Sequence, residues 1–219
     1  DALNREHGVT IRIWEKAVAS SNGYFLRPEH LVPAIDSALD TLEDILDQFP
    51  TNFLDNSVRR TIRICIVRSV DSQVGSAYYW YENDPFIVLS AGSDIAAEFL
   101  RGVAYVLDEH VQDNSYKYDD WNDLNPDEFT YGDEATYSDT YLQGDTMAFI
   151  SKEAMTSATE DRMWIFRQAM LPENEDIFEN DTMQAKLLLM CQAIREAWRL
   201  QWKSDTYHWE QYLNESLAY

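Results

Sequence analysis

The sequence predicts an α+β fold in which helices are segregated from a small, mostly antiparallel sheet. Three observations carry that expectation. Apolar residues recur at three- and four-residue steps over 31–48, they alternate over 61–70, and the helical period returns over 94–111. A chain of 219 residues is long enough to bury a core of this kind, and one domain spanning 1–219 is expected. Within it, 1–93 supplies a helix and the sheet, and 94–219 supplies the buried helix, an acidic loop and the C-terminal helices.

Taken in order, Leu31, Ile35, Leu39, Leu42, Ile45 and Phe49 mark one apolar stripe, with Pro33 tolerated in the first turn and Pro50 as the stop. Ile62, Ile64 and Ile66 alternate with Arg63, Cys65 and Val67, which reads as a strand with one strongly apolar face. Segments 77–82 and 85–90 form two further strands around an Asn83-Asp84 turn, and Ile11 and Ile13 suggest an edge strand over 10–14. In 94–111, Ile95, Phe99, Val103, Val106 and His110 share a stripe, with Ala96, Leu100 and Leu107 beside it. That helix is expected to be buried on most sides, as the central helix against which the sheet packs. Helices resume at 158–170, ended by Pro172, and at 181–202 on a stripe of Met183, Leu187, Met190, Ile194 and Trp198.

Between them, 113–145 has no clear period. It holds ten acidic residues, one lysine and seven aromatics, among them Trp121, Phe129 and Tyr131. A solvated loop pinned by its rings is the simplest reading. Carboxylates and rings also suit carbohydrate or calcium contact, although no EF-hand spacing is present.

Composition narrows the function. Seventeen Lys and Arg against 39 Asp and Glu give a formal charge of −22, which repels phosphate backbones and anionic headgroups. No nucleic-acid partner is expected, and no apolar run reaches the roughly 18 residues of a membrane span. The apolar fraction of 45% is too high for a disordered chain. Cys65 and Cys191 are too few for a disulfide framework and are expected to be buried thiols. No signal-peptide pattern precedes the first element, and composition does not settle the compartment.

No phosphate loop, nucleophile elbow or Cys-His pair is present, and His7, His30, His110 and His208 are scattered. One set of residues does point somewhere. The run Phe99-Leu100-Arg101-Gly102-Val103-Ala104-Tyr105-Val106-Leu107-Asp108 resembles the active-site helix of a family of zinc-binding metallopeptidases of the zincin, gluzincin-like type. Trp121-Asn122-Asp123-Leu124-Asn125-Pro126 and Phe129-Thr130-Tyr131-Gly132 resemble that family's middle motif. Phe149-Ile150-Ser151, Ala154 to Ser157, Glu160-Asp161-Arg162 and Ile165-Phe166 resemble its final active-site segment. The resemblance covers 87–198, about half the chain.

In active members, the resemblance implies, two histidines at i and i+4 bind Zn²⁺, the Glu after the first is the general base, and a Glu from a later helix is the third ligand. Here Arg101 and Tyr105 fall at the histidine positions and Gly102 at the general base. Glu160 is the only retained ligand position, Glu153 falls where a Tyr would stabilise the oxyanion, and Trp164 falls at a trailing acidic position. Glycine cannot take a proton and a guanidinium has no lone pair for zinc. Loss of zinc is therefore expected, with no metal or other cofactor, and Arg101 is expected to stand in for the lost cation beside Glu153 or Glu160. Ser157 and Glu160 also form a capping-box pattern, which is reason enough for both residues. His110 lies about 140° around the helix from Tyr105, so a relocated zinc site there is disfavoured. Asp108 and Glu109 read as a solvated helix end.

The expectation is a non-catalytic, peptidase-like protein that binds a peptide, glycan or protein partner in the former active-site cleft, with 113–145 as its rim. The alternative is an active hydrolase with a relocated metal or with Glu98, Glu153 and Glu160 as working carboxylates. The resemblance also implies an extracytoplasmic location.

Overall fold

Strands form where β-branched residues are dense. In the computed structural model, α1 (Ala2–Glu6) leads into β1 (Val9–Arg12), and a single turn, α2 (Glu15–Val18), leads into β2 (Leu26–Pro28). Then follow α3 (Val32–Leu46), β3 (Ile62–Val70), β4 (Ser76–Tyr81), β5 (Asp84–Ser90) and α4 (Ile95–Asp113). Described are residues 2–19, 24–55, 61–71, 76–81, 84–114, 118, 120–173, 175–200 and 206–214. Asn83 of the expected turn lies outside them.

The sheet has the order β1-β3-β5-β4, with β2 also on β3. It is mixed rather than mostly antiparallel. β1 and β5 run parallel to β3, while β2 on β3 and β4 on β5 are antiparallel. The central parallel trio corrects the expectation of one apolar face as well. Ile64, Cys65, Ile66 and Val67 are consecutive and have no exposed surface, as befits a strand covered on both faces. Alternation in sequence marks a strand but carries no sign of its direction.

Contacts divide the chain into two compact units, Asp1–Val106 and Leu107–Tyr219. The boundary falls inside α4, whereas the sequence reading expects one domain whose two parts meet just before that helix. In the first unit, α4 is laid on β5 through a close approach at Gly102, where a Cβ would meet Ile87 Cγ2 at 2.8 Å. Only a residue without a Cβ lets the helix backbone come that near.

The second unit is built on α5 (Ala158–Met170) and α6 (Asp181–Ala197). Ser157 Oγ accepts from Glu160 N at 3.1 Å and starts α5, and Asn180 Oδ1 accepts from Thr182 N and Met183 N to start α6. α6 stops five residues short of the expected 202. Arg199 N bonds Glu196 O, Leu200 N bonds Arg195 O, and Arg199 takes the left-handed conformation at φ 55°. This is a Schellman stop with arginine where glycine is usual, which is why the sequence hides it. Segment 122–146 forms short 3₁₀ turns around Phe129, whose ring lies against Tyr131, Tyr137, Tyr141 and Phe149. Over these residues the expected loop is pinned by its rings; 115–117 and 119 of it lie outside the described residues.

Candidate functional site

The chemistry-bearing residues of the second unit fall into two groups, one inside and one on the surface. The inner group centres on Asp161, which has no exposed surface. Its Oδ2 accepts from Lys186 Nζ at 2.6 Å, Tyr131 OH at 2.6 Å and Trp121 Nε1 at 3.0 Å. Lys186, equally buried, donates also to Ala148 O at 2.6 Å and lies over the Phe149 ring at 4.2 Å. Burial pushes the Asp161 carboxyl up and the Lys186 ammonium down, and their contact opposes both shifts. The Tyr131 phenol is raised by burial and by the neighbouring carboxylate, so it serves as a donor.

A second buried pair lies one residue along. Arg162 Nε and Nη2 reach Asp108 at 2.5 and 3.0 Å, and Asp108 also accepts from Thr159 Oγ1 and Gln112 Nε2. Asp108 is 5% exposed, which corrects its reading as a solvated helix end; a bidentate arginine is what makes its burial tolerable. A third pair joins Arg195 to Glu210 through two 2.6 Å contacts and ties the 3₁₀ turn His208–Glu210 back onto α6.

Thus Trp121, Tyr131, Phe149, Asp161 and Arg162, five residues of the motifs that suggested a peptidase, are joined in the folding of one core. Trp121 and Phe149 fill it, while the polar groups hold it in register. Trp121, Phe149, Asp161 and Arg162 are buried and Tyr131 is half-buried. The signal that could have found this is Lys186, three residues after Met183 and four before Met190, a lone cation on an apolar face that demands a buried carboxylate.

The expected site positions are distributed as follows. Arg101, Gly102, Tyr105 and Glu98 lie in the first unit, and Glu153, Glu160 and Trp164 in the second. Arg101 is exposed, Tyr105 half-buried and Gly102 buried against Ile87, so close packing gives Gly102 a reason of its own. Glu160 sits in the first turn of α5, where a carboxylate complements the helix dipole. His110 packs its ring on Trp198 at 4.2 Å with Asn114 Nδ2 at 3.1 Å from Nε2, and burial lowers its pKa. Cys65 and Cys191 are free and buried, as expected. Among the described residues, no three His, Cys, Asp or Glu side chains are grouped to hold a metal.

The surface group is an open groove of about 670 Å³ lined by Glu134, Tyr137, Ser138, Asp139, Lys152, Glu153, Met155 and Thr156. It lies where the expected rim loop meets the 3₁₀ turn Glu153–Met155. Tyr137 OH donates to Met155 O at 2.8 Å and fixes one wall. Lys152 Nζ is 2.7 Å from Asp139, a contact that raises the lysine pKa. Its charge is thereby matched, while Glu134 and Glu153 carry the uncompensated charge of the groove. Sequence reading found Glu153 but not its neighbours, because Glu134, Asp139 and Lys152 come together only when the loop folds over its rings.

No family model matches the chain, and neither a curated protein nor a solved structure does.

Proposed function

We propose that the chain is a non-catalytic binding protein, on a scaffold resembling a zincin metallopeptidase, that holds a peptide or protein partner through a cationic side chain. The observation that carries this reading is the groove of the second unit, which sets Glu134, Asp139 and Glu153 against a single lysine already engaged by Asp139. Glu153, one of the former-site positions, lies within it. Partly screened carboxylates on a concave wall favour an alkylammonium or guanidinium group, and Tyr137 offers a ring for the aliphatic stem. A glycan fits less well, because the pair Glu134 and Glu153 confers no advantage on a neutral sugar.

The test is binding of a fluorescent octalysine, with octaglutamate as the control, read by anisotropy at low salt. Octalysine is expected to bind, and the double variant Glu134→Gln/Glu153→Gln to weaken it about tenfold, the effect of roughly 0.7 kcal/mol per charge. Binding unchanged in the double variant overturns the groove as the site. One tightly bound zinc per purified chain, found by metal analysis, overturns the non-catalytic reading.

A further inference from the structure

The buried ion pairs of the second unit differ in what they can do chemically. Arg162 on Asp108 and Arg195 on Glu210 are guanidinium pairs, and a guanidinium keeps its proton and has no free lone pair. Lys186 on Asp161 is different, because an ε-amine relieved of its proton is a nucleophile. Lys152 on Asp139 brings the same two groups together on the surface, but their side chains are 66% and 78% exposed and both stay charged in water.

The donors around the Lys186–Asp161 pair are unevenly shared. Asp161 Oδ2 accepts from Lys186 Nζ, Tyr131 OH and Trp121 Nε1. Its Oδ1 is buried and, among the described residues, has no hydrogen-bond partner. For an ion pair that orphaned oxygen is a cost. For an amide between Nζ and Cγ the same surroundings leave nothing unmatched. Oδ2 becomes the carbonyl oxygen held by Tyr131 and Trp121, the single N–H stays on Ala148 O, and Oδ1 is gone.

We propose that Lys186 and Asp161 condense to an intramolecular amide that cross-links α5 to α6, with release of one water. A 2.6 Å contact to Oδ2 sets Nζ roughly 3–3.5 Å from Cγ, the range of a near-attack arrangement. One proton passes from Nζ to the unpartnered Oδ1, which leaves a neutral amine and a neutral acid. The amine lone pair then forms the N–C bond at Cγ, and Oδ2 takes the negative charge between Tyr131 and Trp121, as in an oxyanion hole. The carbonyl re-forms at Oδ2 as the Cγ–Oδ1 bond breaks. Oδ1 leaves as water with the transferred proton and one more from nitrogen, so no oxidant or co-reactant is needed. Trp121, Ala148 and Phe149, each 2% exposed or less, wall the site, and the Phe149 ring lies 4.2 Å from Nζ. Burial disfavours both charged forms there, which favours the first proton transfer. Condensation also removes two buried charges at once.

The test is the denatured intact mass of the purified wild-type chain, held until that mass no longer changes. One water below the mass of the sequence is expected. Trypsin should release a branched peptide in which 153–162 is joined through Asp161 to Lys186 of 168–195. Lys186→Arg keeps the cation and is expected to show the full mass. In a time course of cell-free synthesis, Tyr131→Phe is expected to slow the loss of water about a hundredfold, the effect of removing one oxyanion donor. A wild-type chain at full mass overturns the inference, and so does a loss of water that persists in Lys186→Arg or maps to another peptide. An unslowed Tyr131→Phe overturns the role given to Oδ2. The wild-type mass decides by itself, so a variant that fails to fold leaves the test standing.

Discussion

The two units solve the same problem with different materials. The first, with nine basic and fifteen acidic residues, buries an apolar sheet in which Ile62, Ile64, Val67, Val88 and Leu89 have no exposed surface. The second, with eight basic and twenty-four acidic residues, places three ion pairs inside, Asp108–Arg162, Asp161–Lys186 and Arg195–Glu210. An apolar core tolerates small errors of fit, since any neighbour of the right size will do. An ion-paired core does not, because a buried charge that misses its partner costs several kcal/mol. The second unit is therefore specified by a few residues that must all be right.

This contrast can be broken most sharply at Lys186. Lys186→Met is expected to strand Asp161 and cost the second unit about 3–5 kcal/mol. Hydrogen exchange resolved along the chain should show the loss beyond Leu107, with β3 and β5 keeping their protection. Adding Asp161→Asn should recover much of it, since the amide oxygen can still accept from Tyr131 and Trp121; no recovery would mean that charge was not the cause.

The first unit has its own buried titratable group. Burial pushes the Cys65 thiol up to about 11, against the opposing pull of Arg12 and Arg63. A raised thiol keeps its proton in the fold where the unfolded chain loses it. Stability is then complete below pH 9.0 and falls as pH rises to about 11, by roughly 1.4 kcal/mol per pH unit at most. Urea melts at stepped pH should show this slope, and Cys65→Ala should flatten it by about one proton.

Gly102→Ala tests the close approach of α4 and β5. A Cβ 2.8 Å from Ile87 Cγ2 is expected to cost the first unit about 1–3 kcal/mol. Ile87→Val should relieve it in part, as measured by chemical denaturation. A neutral Gly102→Ala would show that the helix can shift at no cost. The smallest effect is at the start of α5, where Ser157→Ala should cost about 1 kcal/mol and Ser157→Asp should be nearly silent.

How far the sequence could be read follows the same division. α3, β3 and α5 sit within two residues of their expected bounds, because each has an apolar period that burial obeys. Strand direction was not legible, since it is decided by where α3 returns the chain. The end of α6 was not legible either, because Arg199 adopts a turn that sequence logic assigns to glycine. The candidate site was half legible. Glu153 could be named from its position in a motif, but its companions Glu134, Asp139 and Lys152 meet only once Phe129 has gathered Tyr137 and Tyr141 around it. Trp121, Tyr131 and Asp161 could be singled out by motif as well, but that Trp121 and Tyr131 both donate to the buried Asp161 carboxylate could not.

The inward placement of cations has a consequence for the solvent. Arg162, Lys186, Arg195, Lys152 and Arg167 are each matched to a carboxylate of their own unit. Outside those five pairs, the second unit keeps nineteen acidic residues against three basic ones. It is a polyelectrolyte, and a cloud of monovalent cations must travel with it within about a Debye length of 8 Å at physiological ionic strength. Any basic partner that docks displaces part of that cloud, so the mixing entropy of released ions contributes to association, and its affinity should decline steadily as salt is added.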